Sequence, residues 1–339
     1  MMVLLVLLLV VTGACYAYVL YANRHNPDYA FEDIREFVAK AAEHRKLGDA
    51  YRDADGDLVA DTPSDPGKLQ QVDEIGFCLV AGDDPGQTQE EWADFLQALS
   101  KATGKKVSYR AGLENLEAQL AALQGGTLHV AAFSTGEVPV AVNTAGFVPL
   151  ASPADAEGKY SYEMEILVPA ASGSRSPADL KGKRVGFTAM SSNSGAKAPL
   201  VILKDQFQML PGRDYQHYVT GSHQRSIQLL AAGRFDAVCV ANDLLASAVA
   251  AGDIKTEQYR SIYKSASFPP LCLGVAHDLP PELTAQVKQV FQDFRFEGTS
   301  LAKRFGPQGK VRFSPVDYKR DWAYVREIND SLARLVDTP

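Results

Sequence analysis

The chain has 339 residues, of which 46% are hydrophobic and 22% are charged. This composition can bury a large core or two lobes of ordinary domain size, and it excludes an intrinsically disordered protein. The net charge is -7 at pH 7. A mildly acidic chain without a long run of Lys or Arg has no general electrostatic reason to bind nucleic acid, so no nucleic-acid partner is expected.

Residues 1–25 form an apolar segment that we predict to be a membrane anchor or a signal segment. The stretch Met1–Ala22 would span about 33 Å as a helix, which favours an uncleaved transmembrane helix. Thr12–Cys15 resembles a lipoprotein processing box with Cys15 as the lipidated residue, so a lipoprotein or a cleaved signal stays open. Each alternative places the rest of the chain on the extracytoplasmic (periplasmic) face, tethered to the membrane by a helix or a lipid or exported.

Residues 26–70 are predicted to be a stalk or linker with an aspartate-rich loop between Asp53 and Asp65. Alternating carboxylates around a glycine suit calcium, which binds six to eight oxygen ligands. The stretch resembles the calcium repeats of thrombospondin-like and dockerin-like proteins. The alternative is a solvated acidic linker without metal. The predicted ligands of a structural calcium are Asp53, Asp55, Asp57 and Asp61.

From Val72 onward, short apolar runs alternate with amphipathic stretches. Strands are predicted at Ile75–Ala81, Lys106–Arg110, Leu128–Phe133, Arg184–Thr188, Tyr215–Val219, Phe235–Ala241, Ser261–Ser265 and Cys272–Ala276. Helices are predicted at Gln89–Thr103, Leu113–Leu123, Ser194–Gln208, Ser226–Ala232 and Asp243–Ala251, followed by a mostly helical tail over Pro280–Leu335. This order predicts an α/β protein with parallel sheets covered by helices on both faces.

The alternation occurs in two similar sets, which predicts two lobes. Residues 71–165 and 268–339 are assigned to lobe 1, and residues 166–267 to lobe 2. The chain then crosses between the lobes twice, so two crossing strands are expected to join them.

Two polar clusters follow predicted strands and are the candidate binding sites. Ser192, Asn193, Ser194 and Gly195 come after the strand that ends at Thr188, where a helix begins. Free amides and the partial positive charge of a helix N-terminus suit an anion, although serine and asparagine are also ordinary capping residues. Ser134 and Thr135 end a strand of the other lobe in the same way. His223 and Asp243 each stand at the start of a later helix, as further ligand-binding candidates or as simple caps.

No sequence motif for catalysis is evident. A nucleophile elbow, a zinc-protease motif, a CxxC pair and a phosphate-binding glycine loop are all missing from the sequence. Ser192 and His223 could be imagined as a nucleophile and a base, but no motif supplies the carboxylate of a triad. We therefore expect no catalytic residues, no required cofactor and no enzymatic activity.

Residues from about 72 to 335 resemble the phosphate/phosphite/phosphonate-binding subfamily of ABC-transporter solute-binding proteins. The motifs that carry the resemblance are Ile75-Gly76-Phe77, Asp84-Pro85, Leu128–Thr135, Asp179–Val185, Ser192–Gly195, Gly221-Ser222-His223 and Gly233–Val238. The resemblance implies a two-lobed periplasmic-binding-protein type II fold whose two crossing strands act as a hinge. It also implies partnership with an ABC permease and ATPase.

By the same resemblance, the Ser-Thr-Ser-Gly phosphonyl site of the family falls on Ser192–Gly195, with Asn193 in place of the usual threonine. Ala196 follows where a larger residue is common. The family histidine falls on His223, a hydroxyl site falls on Ser134 and Thr135, and a loosely matched acidic residue falls on Asp243. The implied ligand is a phosphonate, phosphite or phosphate. A sensor that works with a separate signalling partner and a binding protein for another small solute are the alternatives.

Overall fold

The computed structural model describes residues 44–79, 85–113 and 115–336. The predicted membrane segment, Cys15 and the first part of the predicted stalk lie outside the described residues. Within the described ranges, no helix combines the length and the apolar character needed to cross a bilayer.

Strands alternate with helices along the described chain, as the sequence predicts. The strands are β1 (Glu74–Leu79), β2 (Lys106–Tyr109), β3 (Val130–Phe133), β4 (Phe147–Ala154), β5 (Met164–Pro169), β6 (Arg184–Phe187), β7 (Gln216–Val219), β8 (Ala237–Ala241), β9 (Tyr259–Lys264), β10 (Cys272–Ala276) and β11 (Arg312–Pro315).

The helices before the second crossing are α1 (Pro85–Glu91), α2 (Ala93–Thr103), α3 (Leu116–Gln124), α4 (Val138–Ala145), a π-helical turn (Asn193–Lys197), α5 (Ala198–Phe207), α6 (His223–Ala231) and α7 (Asn242–Ala251). The later helices are α8 (Pro281–Asp293), α9 (Ser300–Phe305), α10 (Tyr318–Asp321) and α11 (Ala323–Val336). Short 3-10 helices occupy Pro66–Lys68, Pro177–Leu180, Thr256–Gln258 and Gly306–Gln308.

The strands form two sheets. The six-stranded sheet has the order β11-β4-β10-β3-β1-β2, and the five-stranded sheet has the order β7-β6-β8-β5-β9. We call the six-stranded sheet with its helices the first lobe and the five-stranded sheet with its helices the second lobe. The sheets divide the chain between Ala154 and Met164 and again between Lys264 and Cys272.

Each sheet is mixed, whereas the sequence predicted parallel sheets. In the first lobe, β1 runs parallel to β2 and β3, but β10 is antiparallel to both β3 and β4. In the second lobe, β6 runs parallel to β7 and β8, but β5 is antiparallel to β8 and β9. The βαβ units give the parallel pairs. The strands β5 and β10 directly follow the two crossings. Each enters its sheet from the opposite end and therefore runs antiparallel to its neighbours.

Two strands and a helix were not predicted. The strand β4 contains Pro149 and Pro153, which disguise it in the sequence because proline is rare inside a sheet. The strand β11 is four residues long and lies inside a tail predicted to be mostly helical. The helix α4 is rich in valine and is almost wholly buried, so it lacks the polar face that marks a surface helix.

Aromatic side chains fill the core of the first lobe. Phe95 on α2 lies 5.2 Å from Phe291 on α8 and 5.4 Å from Phe313 on β11, measured between ring centroids. Trp92 packs 5.3 Å from Phe77 on β1. These contacts pack α2 and α8 against the strands β1 and β11.

The two segments that cross between the lobes pair with each other. The amide of Tyr162 donates to the carbonyl of Phe268 at 2.9 Å, and the amide of Phe268 donates back at 2.8 Å. The ring of Phe268 stacks on Tyr324 of α11 at 5.1 Å. The lobes are therefore joined by a short antiparallel pair and by the last helix.

Two regions pack differently from the prediction made from the sequence. Residues 44–70 were predicted as linker, but they pack on the first lobe. The amide of Gly48 donates to the Asn143 carbonyl at 2.8 Å, and the Lys319 ammonium donates to the Gly56 carbonyl at 2.8 Å. The helix α11 was assigned to the first lobe, but it also contacts α5 and the π-helical turn of the second lobe.

Candidate functional site between the lobes

The strand β6 leads through a short loop into a helix N-terminus, as the sequence predicts. Ser192 caps the helix, and its hydroxyl accepts a hydrogen bond from the Gly195 amide at 3.1 Å. The π-helical turn continues directly into α5. The Thr188 amide donates to the Gly195 carbonyl at 3.0 Å, and a Cβ on Gly195 would lie 1.7 Å from the Thr188 hydroxyl oxygen. Only glycine allows the helix to approach the end of β6 so closely.

Ser192 and His223 are in direct contact. The Ser192 hydroxyl lies 3.2 Å from Nε2 of His223, and the amide of Ala241 donates to Nδ1 of His223 at 3.1 Å. Burial lowers the pKa of His223 to about 4, so the ring is neutral at pH 7. In a neutral imidazole with Nδ1 as acceptor, Nε2 carries the proton. His223 therefore donates to Ser192.

This tautomer is wrong for a catalytic base. A base must accept the serine proton at Nε2, while its Nδ1 donates to an orienting carboxylate. Here Nδ1 is an acceptor from the backbone, and Nε2 is already protonated. The Ser192 hydroxyl oxygen accepts hydrogen bonds from the Gly195 amide and from His223. Its own proton is therefore available for donation to another group. The pair is built to donate hydrogen bonds, which suits anion binding.

The first lobe presents its turn after β3 to this helix. Ser134 donates to the Glu137 carboxylate through its hydroxyl at 2.8 Å and through its amide at 3.2 Å. Thr135 is buried, and its hydroxyl donates to the Pro269 carbonyl at 2.7 Å. Both hydroxyl protons are used within the protein in this arrangement. Their role as direct ligand donors stays a prediction.

The turn and the helix touch across the boundary of the lobes. A Cβ on Gly136 would lie 2.5 Å from the Ser191 carbonyl oxygen and 3.0 Å from the Asn193 amide nitrogen. The ammonium of Lys197, on the π-helical turn, donates to the Gly136 carbonyl at 2.6 Å. Glycine at position 136 therefore permits the approach, and Lys197 holds it.

Glu137 and Lys197 are buried groups of opposite charge near this contact, and each influences the pKa of the other. Burial raises the pKa of Glu137 despite hydrogen bonds from Ser134 and Ser191 and the nearby Lys197 charge. Burial lowers the pKa of Lys197 to about 8, partly offset by the Glu137 charge. One of the two groups belongs to each lobe, so the attraction between them acts across the boundary.

Tyr162, on the first crossing segment, lies near the remaining predicted site residues. Its buried hydroxyl interacts with the side chains of Thr135, Ser194 and Asn193, and its pKa is raised by burial and by the charge of Asp243. Burial likewise raises the pKa of Asp243, and the charge of Lys310 opposes that shift. The structure thus brings the predicted candidates from both lobes around one boundary.

Four residues at the boundary were not predicted from sequence: Glu137, Tyr162, Lys197 and Lys310. Glu137 and Lys197 stand beside predicted candidates, but nothing in the sequence indicates that a lone charged residue is buried. Tyr162 lies in Tyr160–Pro169, where apolar and polar residues alternate, and this alternation indicates extended backbone but no ligand contact. Lys310 follows a glycine in the tail and carries no signal of its own.

The aspartate-rich loop packs on the first lobe, where the Lys319 ammonium donates to the Gly56 carbonyl. Carboxylate oxygens of Asp53, Asp55 and Asp57 lie within 4.8 Å of one another, as one cation would require. Asp61 accepts a hydrogen bond from the Ala54 amide at 2.9 Å. The Asp53 carboxylate accepts three backbone amides, yet a carboxylate has about four lone-pair sites. The donor set fits a hard cation, and calcium stays a prediction.

A family model supplies the identification. The model for phosphonate periplasmic substrate-binding proteins of ABC transporters matches residues 77–322, which is well over half of the chain. The chain belongs to this family. The resemblance seen in the sequence is therefore confirmed at the level of the phosphonate-binding family, whose members are solute-binding transport components and not enzymes.

Solved structures show the same fold at low identity. PhnD1 from Prochlorococcus marinus, solved with methylphosphonate, has a TM-score of 0.64 and 18% identity over 77% of this chain and 98% of that one. A binding protein component of an ABC phosphonate transporter from Pseudomonas aeruginosa has a TM-score of 0.61 and 16% identity over 78% of this chain and 94% of that one. XAC2383 from Xanthomonas citri, solved with chloride, has a TM-score of 0.63 and 15% identity over 78% and 99%.

Proposed function

We propose that this phosphonate-binding family member captures a phosphorus oxyanion between its two lobes and delivers it to an ABC importer. The observation that carries the proposal is the contact between the turn at Gly136 and the helix N-terminus at Asn193. Polar groups from the two lobes converge there. A helix N-terminus with neutral donors binds an oxyanion without needing a net positive protein.

The proposed ligand groups on the second lobe are the Ser192 hydroxyl, the Asn193 and Ser194 side chains and the free amides of the turn. His223 supports the site by donating to Ser192. The proposed groups on the first lobe are Ser134 and Thr135. On ligand binding, their hydroxyl groups would donate to the ligand in place of their present acceptors. Asp243 and Lys310 lie further along the boundary, where they would face the substituent on phosphorus.

Ligand-dependent closure is part of the proposal. The lobes would rotate about the paired crossing segments at Tyr162 and Phe268, and the ligand would favour closure through contacts made only in the closed state. The permease and ATPase would recognise that state. Delivery from an extracytoplasmic position requires a tether or export, which stays the prediction made for residues 1–25.

The test is calorimetric titration of the full-length protein with phosphate, phosphite, methylphosphonate, 2-aminoethylphosphonate and sulfate. We expect tight binding of at least one phosphorus oxyanion. Ser194→Ala should weaken that binding by about 1–3 kcal/mol, the value of a hydrogen bond to a charged group. Truncation of Ser247, a hydroxyl on α7 that donates to the Asp243 carbonyl, is the control. No binding of any phosphorus oxyanion would refute the proposal and favour another solute or a sensory role.

A further inference from the structure

Asn193 departs from the family pattern and has an unusual environment. Its side chain is 1% exposed, at the first position of the π-helical turn and against the turn of the first lobe. Among the described residues, neither its amide nitrogen nor its carbonyl oxygen has a hydrogen-bond partner. A buried amide left in this way is costly, so a bound group is expected to complete it.

The hydroxyl groups nearby leave the Asn193 carbonyl oxygen without a donor. Thr135 donates its hydroxyl proton to the Pro269 carbonyl. The Tyr162 hydroxyl lies near the side chains of Thr135, Asn193 and Ser194, but no described residue makes a hydrogen bond to the Asn193 carbonyl oxygen.

The charged side chains around the site do not complete the hydrogen bonding of Asn193 either. Glu137 presents a buried carboxylate that can only accept while ionised, and Lys197 is engaged with the Gly136 carbonyl. Asn193 itself offers two amide protons and one carbonyl oxygen. A complete partner for this side chain must accept at one atom and donate at another.

We infer that Asn193 makes the site selective for an oxyanion that retains an acidic proton, such as the monoanion of a phosphonate, phosphite or phosphate. The amide NH2 donates to an ionised oxygen of the ligand, and the P–OH group donates to the Asn193 carbonyl oxygen. A sulfonate or sulfate has no such proton, so it leaves that carbonyl facing an oxygen. This inference rests on the proposed function and adds the protonation state of its ligand.

Methylphosphonate and methanesulfonate provide a matched pair of probes. At about pH 5.5, below the second pKa of the phosphonate, both are monoanions of similar shape that differ by one proton. The full-length protein should bind methylphosphonate about 10- to 100-fold more tightly, the penalty expected for leaving a buried acceptor unpaired. His223, with a pKa of about 4, stays neutral at this pH.

Two substitutions separate the roles of the two amide atoms. Asn193→Leu keeps the approximate volume and removes both atoms, so the preference should fall to within about threefold, the limit of shape alone. Asn193→Asp keeps an acceptor, so both affinities should fall while the preference persists. Asn143→Ala removes another buried asparagine, whose amide donates to the His44 carbonyl, and should leave the preference unchanged.

The outcomes are distinct. Similar affinities of the unaltered protein for the two probes would overturn the inference and leave the proposed function standing. A preference that survives in Asn193→Leu would also overturn it, since another group would then read the proton. Binding of neither probe, with no binding of phosphate or phosphite, would overturn both the inference and the proposed function.

Discussion

The amide of Ala241 donates to Nδ1 of His223 at 3.1 Å, and this contact fixes what His223 can do at Ser192. Protonation of His223 would place a hydrogen on Nδ1, in addition to the one on Nε2, and would break the bond from the Ala241 amide. The ring therefore remains a neutral donor. The same geometry that makes His223 unfit as a base makes it a stable support for an anion site.

The first prediction concerns acid stability. His223 has a pKa of about 4 in the folded protein and 6.5 in its ordinary state. As the pH falls from 6.5 towards 4, the unfolded chain binds a proton that the folded chain does not, so the folded state loses up to about 3 kcal/mol. His223→Asn retains an acceptor for Ala241 and does not titrate. We expect the variant to lose less stability over this window.

Urea denaturation at several pH values between 4 and 7 measures this difference. At pH 7 the variant should be less stable by about 1 kcal/mol, since the hydrogen bond to Ser192 is lost. Parallel curves for the variant and the unaltered protein between pH 6.5 and 4 would contradict the lowered pKa.

The sequence predicted the parts of the fold that depend on local pattern. The strands β1, β6, β8 and β10 were found because each is a short apolar run, and the loop at Ser192 was found because polar residues separate a strand from a helix. The strand β4 was missed because its pairing with β10 and β11 overrides two prolines. Tertiary contacts decide such cases, and no local signal records them.

The candidate site was predicted in part for the same reason. Hydroxyl and amide residues at strand ends can be recognised locally. The buried charges cannot, because the partner of Lys197 lies 60 residues earlier in the other lobe. Similarly, the state of the Asn193 side chain depends on Tyr162 and Thr135, which are distant in sequence.

The second prediction concerns the aspartate-rich loop. The carboxylates of Asp53, Asp55 and Asp57 lie close together. Burial raises the pKa of Asp57, and repulsion from its acidic neighbours raises it further. A bound calcium ion would relieve this repulsion. We expect millimolar calcium to raise the midpoint of thermal unfolding by about 2–6 °C, as for a ligand well above its dissociation constant.

A double variant, Asp55→Asn with Asp57→Asn, should abolish the calcium effect. Magnesium is the control ion, because it demands a small octahedral site and should have a weaker effect. Equal midpoints in calcium and in a chelator would show that the loop is an acidic surface segment without a metal.

The third prediction tests the buried pair across the lobes. Lys197→Met removes a partner of the Gly136 carbonyl and leaves Glu137 without its opposite charge, so it should destabilise the protein by about 3 kcal/mol. Glu137→Gln should be destabilising as well. The double variant should cost about 1–3 kcal/mol less than the sum, because the two buried charges interact with each other.

Lys204→Met is the matched control, since Lys204 lies on α5, which continues directly from the π-helical turn, and forms an ion pair with Asp205 at 3.7 Å. Such a surface pair should contribute less than about 1 kcal/mol. Additive effects of the Lys197 and Glu137 substitutions in urea denaturation would show that the two charges are not coupled.

The fourth prediction addresses closure at Gly136. Its backbone is not in the left-handed region, so alanine is compatible with its conformation. A new Cβ would lie 2.5 Å from the Ser191 carbonyl oxygen, and backbone atoms cannot yield as a flexible side chain can. Gly136→Ala should keep the lobes apart and weaken ligand binding about 10- to 100-fold, the equivalent of an overpacking cost of 1–3 kcal/mol.

Calorimetry gives the affinity of the Gly136→Ala variant, and small-angle scattering shows whether ligand still compacts the molecule. Gly173→Ala is the control, because a Cβ there meets nothing within 4 Å. A smaller ligand-induced compaction together with weaker binding would place the oxyanion at the contact between the lobes. Unchanged affinity and compaction would mean that the ligand is held in an arrangement where Gly136 and Ser191 are separated, and the binding site would have to lie elsewhere along the boundary.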